Sequence, residues 1–126
     1  MTHAEIHEFL ISFPKVWLDF PFGDDVSVYK IGHEKTGVPA RPIGQTGGGK
    51  MFALIAENSN PLRLSLKCDP LLAEKLREEY ETVLPGYHLN KKNWNTIICT
   101  GQVSDDELKG FIRLSYDLVT DGKTIN

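Results

Sequence analysis

The sequence predicts an α+β fold: an antiparallel sheet covered on one face by helices, in the order helix, strands, helix, strands, helix. Three observations carry this. Helical periodicity of apolar residues occurs in three separate segments, near the start, the middle and the end of the chain. Each of those segments opens on a capping signal. The segments between them are short strand-like runs joined by turn residues, which favours antiparallel neighbours.

The first helix begins at Thr2, whose spacing to Glu5 is that of a capping box. Ile6, Phe9, Leu10 and Phe13 then recur on one face until Pro14 stops the helix. Val26–Ile31 and Met51–Ala56 are strands by composition. Leu62–Lys67 alternates, with Leu62, Leu64 and Leu66 on one side and Arg63, Ser65 and Lys67 on the other, the pattern of a strand with one solvated face. Asn58-Ser59-Asn60-Pro61 is the turn before it. Asp69 and Pro70 are an N-cap and first-turn pair, followed by the stripe Leu72, Leu76, Tyr80. Trp94–Cys99 is a further strand, with the region near Gly86–Leu89 pairing to it through a turn at Asn90–Asn93. Ser104 and Glu107 form a second capping box, and Leu108, Phe111, Ile112, Ser115, Leu118 and Val119 give the last helix its face. Gly110 weakens that helix locally.

Gly32–Gly49 stands apart. It has six glycines, two prolines and few apolar residues, and is expected to be an extended, mobile hairpin insertion at 32–49 between two strands. The whole chain, 1–126, is read as one domain with a real core. No apolar run approaches the roughly 20 residues of a membrane span, and the N-terminus lacks a basic leader region. Cys68 and Cys99 have neither disulfide-framework nor zinc spacing, so they are read as free thiols. The expectation is a cytoplasmic monomer without a cofactor.

The net charge of −3 argues against tight nucleic-acid binding, but the charges are segregated. Residues 1–25 hold one lysine and five acids. Residues 26–68 hold six cations and two glutamates, and residues 82–103 hold Lys91, Lys92 and no acid. The predicted helices are acidic and the predicted strands basic.

No motif marks an enzyme. Gly44–Lys50 fits the GxxxxGK part of a phosphate loop, yet Met51 stands where a metal-binding Ser or Thr belongs and a strand, not a helix, follows. Asp105, Asp106 and Glu107 sit in a first helical turn, where acids favour the dipole. His3 and His7 are one turn apart but lack the glutamate of a zinc-protease helix. No Ser-His-Asp or Cys-His spacing is present.

The basic strands offer more. Arg63 and Lys67 share a face, and Lys30 is placed on it. With Lys91, Lys92, Lys35, Arg41 and Lys50 they could follow a phosphate backbone, while Tyr87 and Trp94 stack on bases. Equally, these cations could simply solvate a sheet face, with Trp94 in the core and His88 anchoring a turn. Composition alone favours the second reading, because the cluster is modest.

The stretch Pro85–Thr96, PGYHLNKKNWNT, combines rings, cations and amides without an acid. Together with FPFGDDVSVYKIG, GKMFALI, LRLSLKCDP and SYDLV, in that order, it resembles the MmcQ/YjbR family of small bacterial proteins, from about Pro14 to Val119. The resemblance implies an α+β fold related to the bacterial frataxin-like proteins, and a double-wing DNA-binding motif. It matches Tyr87, His88, Lys91, Lys92, Asn93 and Trp94 to the family's most characteristic segment. The insertion after Gly32, with His33, Lys35 and Arg41, departs from the tight turn of many members. The function expected is therefore non-catalytic, weak DNA binding through a basic sheet face and hairpin tips. The alternatives are a protein or small-ligand interaction module without DNA and, third, frataxin-like metal binding.

Overall fold

In the computed structural model of the chain, residues 1–32 and 49–121 are described. The predicted insertion therefore lies, apart from its flanking Gly32 and Gly49, outside the described residues, as do Lys35 and Arg41.

Helix α1, His3–Ile11, opens on the expected capping box: Glu5 N donates to Thr2 Oγ1 at 3.2 Å and Thr2 N to Glu5 Oε1 at 2.8 Å. Its Ile6 and Leu10 are fully buried. After Pro14, Lys15 takes a positive φ of 63° and turns the chain into strand β1, Val16–Asp19. The sequence reading has no strand there. β2 (Val26–Ile31) and β3 (Lys50–Ala56) follow, then β4 (Arg63–Lys67). Helix α2, Pro70–Glu79, is capped by the Asp69 carboxylate, which accepts from Leu71 N and Leu72 N. β5 (Val83–Pro85), β6 (Trp94–Ile98) and helix α3 (Asp105–Asp121) complete the order. The second capping box forms between Ser104 and Glu107.

The described strands make one antiparallel sheet in the order β1-β2-β3-β4-β6-β5. α1 lies against β1, α3 against β3 and β4, and α2 against β5 and β6. Between them sits the main core, with Tyr29, Phe52, Ile55 and Leu64 from the sheet meeting Ile6, Leu10 and Ile112 from the helices. The β2–β3 register shifts between Tyr29 and Lys30, because Phe52 is inserted as an extra residue. Phe52 and Ala53 consequently both join the helix-side core, while Met51 and Leu54 face the other way. α3 is stitched to the sheet by Ser115: its Oγ donates to Phe52 O at 2.6 Å and accepts from Lys67 N at 3.0 Å.

The structure corrects two expectations. The partner of β6 is Val83–Pro85, not Gly86–Leu89. Gly86 N donates to Trp94 O at 2.9 Å, and the chain then leaves the ladder. Loop 86–93 folds back instead of extending the strand. The helix-free face, in turn, is not a solvated basic surface. Val28, Leu54 and Trp94 form a second buried cluster there, with Val26, Met51 and Leu89 packed against it. Ser65 and Thr96 are buried beside it, their hydroxyls 2.8 Å apart. Leu89 comes from the folded-back loop, which is why the alternation of Leu62–Lys67 does not imply an open face.

Candidate nucleic-acid interface

The register arranges the strand ends into two groups. Val16, Ile31, Lys50, Lys67, Pro85 and Trp94 lie at one end of the sheet; Asp19, Val26, Ala56, Arg63, Val83 and Ile98 lie at the other. The first end collects cations. Lys15 enters β1, Lys50 opens β3, Lys67 closes β4 opposite Trp94, and Lys91 and Lys92 stand in the exposed loop before β6. In the described strand ends and connections there, Asp69 alone is acidic, and it is engaged as the α2 cap. On the helix side of that end α3 adds Asp117, next to Tyr116, whose hydroxyl donates to Pro14 O at 2.6 Å.

The other end is acidic. Asp24 and Asp25 occupy the β1–β2 connection, Glu57 follows β3, Glu79 and Glu81 flank the entry to β5, and Asp105, Asp106 and Glu107 begin α3. Charge is thus divided between two ends of one sheet, and the division cuts across the sequence blocks: Lys15 comes from the acidic first block, and Glu57 and Arg63 of the basic second block lie at the acidic end.

This geometry sorts the predicted contact residues. Lys50, Lys67, Lys91 and Lys92 come together at the basic end. The described residues make no ion pair with them; the ion pairs that form are Met1–Asp105, His3–Glu57 and Lys30–Asp19. Burial lowers the pKa of Lys67, and the neighbouring Lys50 ammonium lowers it further, so the two cations share one neighbourhood. Arg63 is exposed but opens β4 at the acidic end, about 13 Å of strand from Lys67. Lys30 does lie on the face expected of it. It is, however, only 1% exposed, 2.8 Å from the Asp19 carboxylate, and its ammonium sits 5.4 Å from the centre of the Trp17 ring. Burial and pairing withhold Lys30 from any phosphate.

The segment 85–96 divides in the same way. Trp94 is 6% exposed and belongs to the second cluster, so it does not offer a stacking surface. Asn93 N donates to Asn90 O and Asn93 O accepts from Cys68 N, closing the loop onto the end of β4. Tyr87 and His88 stay outside. Tyr87 is 65% exposed, its ring 3.9 Å from that of His88, and His88 takes a positive φ of 58° that turns the loop. Tyr87 N donates to Thr96 Oγ1 at 3.1 Å, which fixes the pair over the sheet.

Sequence reasoning missed Lys15, and it missed a cleft of mixed polar and apolar lining at the acidic end. This cleft of about 360 Å³ lies between α1 and the edge of the sheet, lined by His3, His7, Ser27, Tyr29 and Glu57 among others. The His3/His7 spacing was legible; the residues that meet them come from β2 and from the turn after β3, and no local pattern announces that.

The YjbR family model matches residues 11–118. The chain is 31% identical over 120 residues to the uncharacterized protein YbdF of Escherichia coli, covering 95% of this chain and 85% of that one. To the uncharacterized protein YjbR of the same species it is 38% identical over 66 residues, 52% of this chain and 56% of that one. The crystal structure of a Deinococcus radiodurans protein with the family-model domain DUF419 superposes with a TM-score of 0.80 at 36% identity, covering 94% of this chain and 78% of that one. A Pseudomonas syringae protein shares the fold, with a TM-score of 0.68 at 22% identity over 94% of this chain and 99% of that one. The matched span takes in every strand of the sheet, all of α2 and most of α3, and the chain belongs to the YjbR family.

Proposed function

We propose that this protein is a small, non-catalytic DNA-binding protein that grips the phosphate backbone with the basic end of its sheet. The observation that carries the reading is the gathering of Lys15, Lys50, Lys67, Lys91 and Lys92 at one end, none of them ion-paired among the described residues. The mutual repulsion of Lys50 and Lys67 is relieved when a phosphate sits between them. The exposed Tyr87–His88 pair supplies rings for contact with bases at the same end. Binding is electrostatic and falls in the non-specific range of roughly 10⁻⁴–10⁻⁶ M.

The test is fluorescence anisotropy of labelled duplex and single-stranded DNA at two salt concentrations. Binding is expected to weaken with salt and with the double change Lys91→Glu/Lys92→Glu. Affinity indifferent to both, or no binding at low salt, overturns the reading.

The cleft between α1 and the sheet edge favours a second reading, an interaction module for a small ligand. Frataxin-like metal binding gains no support: among the described residues no group of three or more His, Cys, Asp or Glu side chains is placed to hold an ion.

A further inference from the structure

The cleft at the acidic end has the features of a built site. Two separate hydrogen-bonded sets of polar groups line it. Ser27 Oγ donates to Glu57 Oε2 at 2.6 Å, and His3 Nε2 lies 2.9 Å from Oε2 and 3.0 Å from Oε1. The Tyr29 hydroxyl and His7 Nδ1 share a second bond of 2.7 Å. Among the described residues, Glu57 Oε1 meets only the imidazole nitrogen that also serves Oε2, so it retains acceptor capacity toward the cleft. Glu8 adds a second carboxylate to the lining, and among the described residues no lysine or arginine is part of it. Leu18 and Phe20, 36% and 40% exposed, supply an apolar wall. The volume is in the range of small-molecule sites.

We infer that this cleft binds a small organic cation: a protonated amine held by Glu57, with its apolar body against Leu18 and Phe20. Three observations select a cation over an anion or a neutral molecule. The lining carries carboxylates without a fixed cation. Burial opposes the charge on Glu57, but the bonds from His3 and Ser27 and the nearby imidazoles outweigh it, so the carboxyl titrates below its ordinary range and stays ionised. The surrounding end of the sheet bears Asp24, Asp25 and Asp106 beside one arginine, Arg63, while Asp105 is paired with the Met1 ammonium, so acids still outnumber cations there. His7 Nδ1 is taken by the buried Tyr29 hydroxyl, which leaves the other ring nitrogen of the half-buried His7 to meet a ligand hydroxyl beside the amine.

The inference is independent of the DNA reading, because it concerns the opposite end of the sheet. It is tested by NMR titration of the ¹⁵N-labelled full chain, following the backbone signals of Ser27 and Glu57 and the ring signals of His3 and His7. The probes are phenethylamine, the neutral 2-phenylethanol and the anion phenylacetate. Saturable shifts at these residues are expected with the amine. Affinity should be about tenfold or more weaker for the alcohol and for the Glu57→Gln protein, the ratio that loss of a charged hydrogen bond implies. Phenylacetate should not bind. Shifts that never saturate, equal affinity for amine and alcohol, or saturable shifts confined to other residues overturn the inference. Should Glu57→Gln fail to fold, the exposed positions decide: Glu8→Gln and Phe20→Ala must each weaken the amine, and no effect from either overturns it too.

Discussion

Arg77 on α2 and Asn95 on β6 are bonded across the sheet's edge. Nη1 of Arg77 donates to Oδ1 of Asn95 at 3.1 Å and also to the Lys91 carbonyl at 2.8 Å. Nδ2 of Asn95 donates to Ala73 O at 3.1 Å. The buried amide therefore joins α2 to the strand, and Arg77 carries the link on to the lysine loop. In the segment PGYHLNKKNWNT, the backbone at Lys91 is tied to α2 by this junction.

Replacing Asn95 by Leu leaves Ala73 O and the Arg77 guanidinium short of a partner. A loss of about 1–3 kcal/mol is expected, read as a lower urea midpoint at unchanged slope. An unchanged midpoint would show that the junction is not a stabilising one.

Gly86 is required by space. A Cβ there would stand 2.7 Å from Trp94 Cβ and 3.1 Å from Trp94 O, where the loop crosses the strand. Gly86→Ala should destabilise by roughly 1–3 kcal/mol through overpacking. It should also shift the fluorescence of Trp94, whose indole lies in the second cluster. Thermal unfolding and emission spectra check both.

The basic-end reading separates two cations that share a strand, the exposed Arg63 and the half-buried Lys67. Lys67→Ala should lower the slope of log affinity against log salt for duplex DNA by about 0.9. Arg63→Ala should leave it unchanged. Equal effects would restore a whole-strand contact. The depressed Lys67 pKa should also rise on binding, because a phosphate offsets the Lys50 charge; side-chain NMR titration reads it.

Glu57 gives stability a pH signature. Its folded-state carboxyl lies below the ordinary 4.5, so folding favours the ionised form. The contribution is present in full above 4.5 and is lost as pH falls through the lower folded value. Ser27→Ala removes one of the bonds that depress it. The difference in unfolding free energy between wild type and variant should be constant above 4.5 and shrink on acidification. A difference that grows on acidification would contradict the sign.

The helix starts were legible because capping is local: Thr2 with Glu5, Asp69 with Pro70 and Ser104 with Glu107 each lie within one turn. β1 was not. Its four residues follow a proline and a positive-φ lysine, and its pairing with β2 is the only reason it is a strand. β5 was misplaced by three residues because the point where loop 86–93 leaves the ladder depends on contact with Trp94. Alternation correctly put Arg63, Lys67 and Lys30 on one face, yet period-two patterns carry no information about which end of a strand meets which loop. The grouping of lysines, the burial of Lys30 and the cleft all depend on that longer-range register.

A sheet with lysines at one end and carboxylates at the other is a lever in an electric field. Near a polyanion it feels a torque before it feels a contact, over a reach of about 10 Å at 0.1 M salt. If the proposed DNA binding holds, it would arrive lysine-first, with the Glu57 cleft turned toward bulk solvent. Occupation of one end leaves the mouth of the other unobstructed, and a molecule lying along a polymer in this pose would still be able to take up and release a small guest.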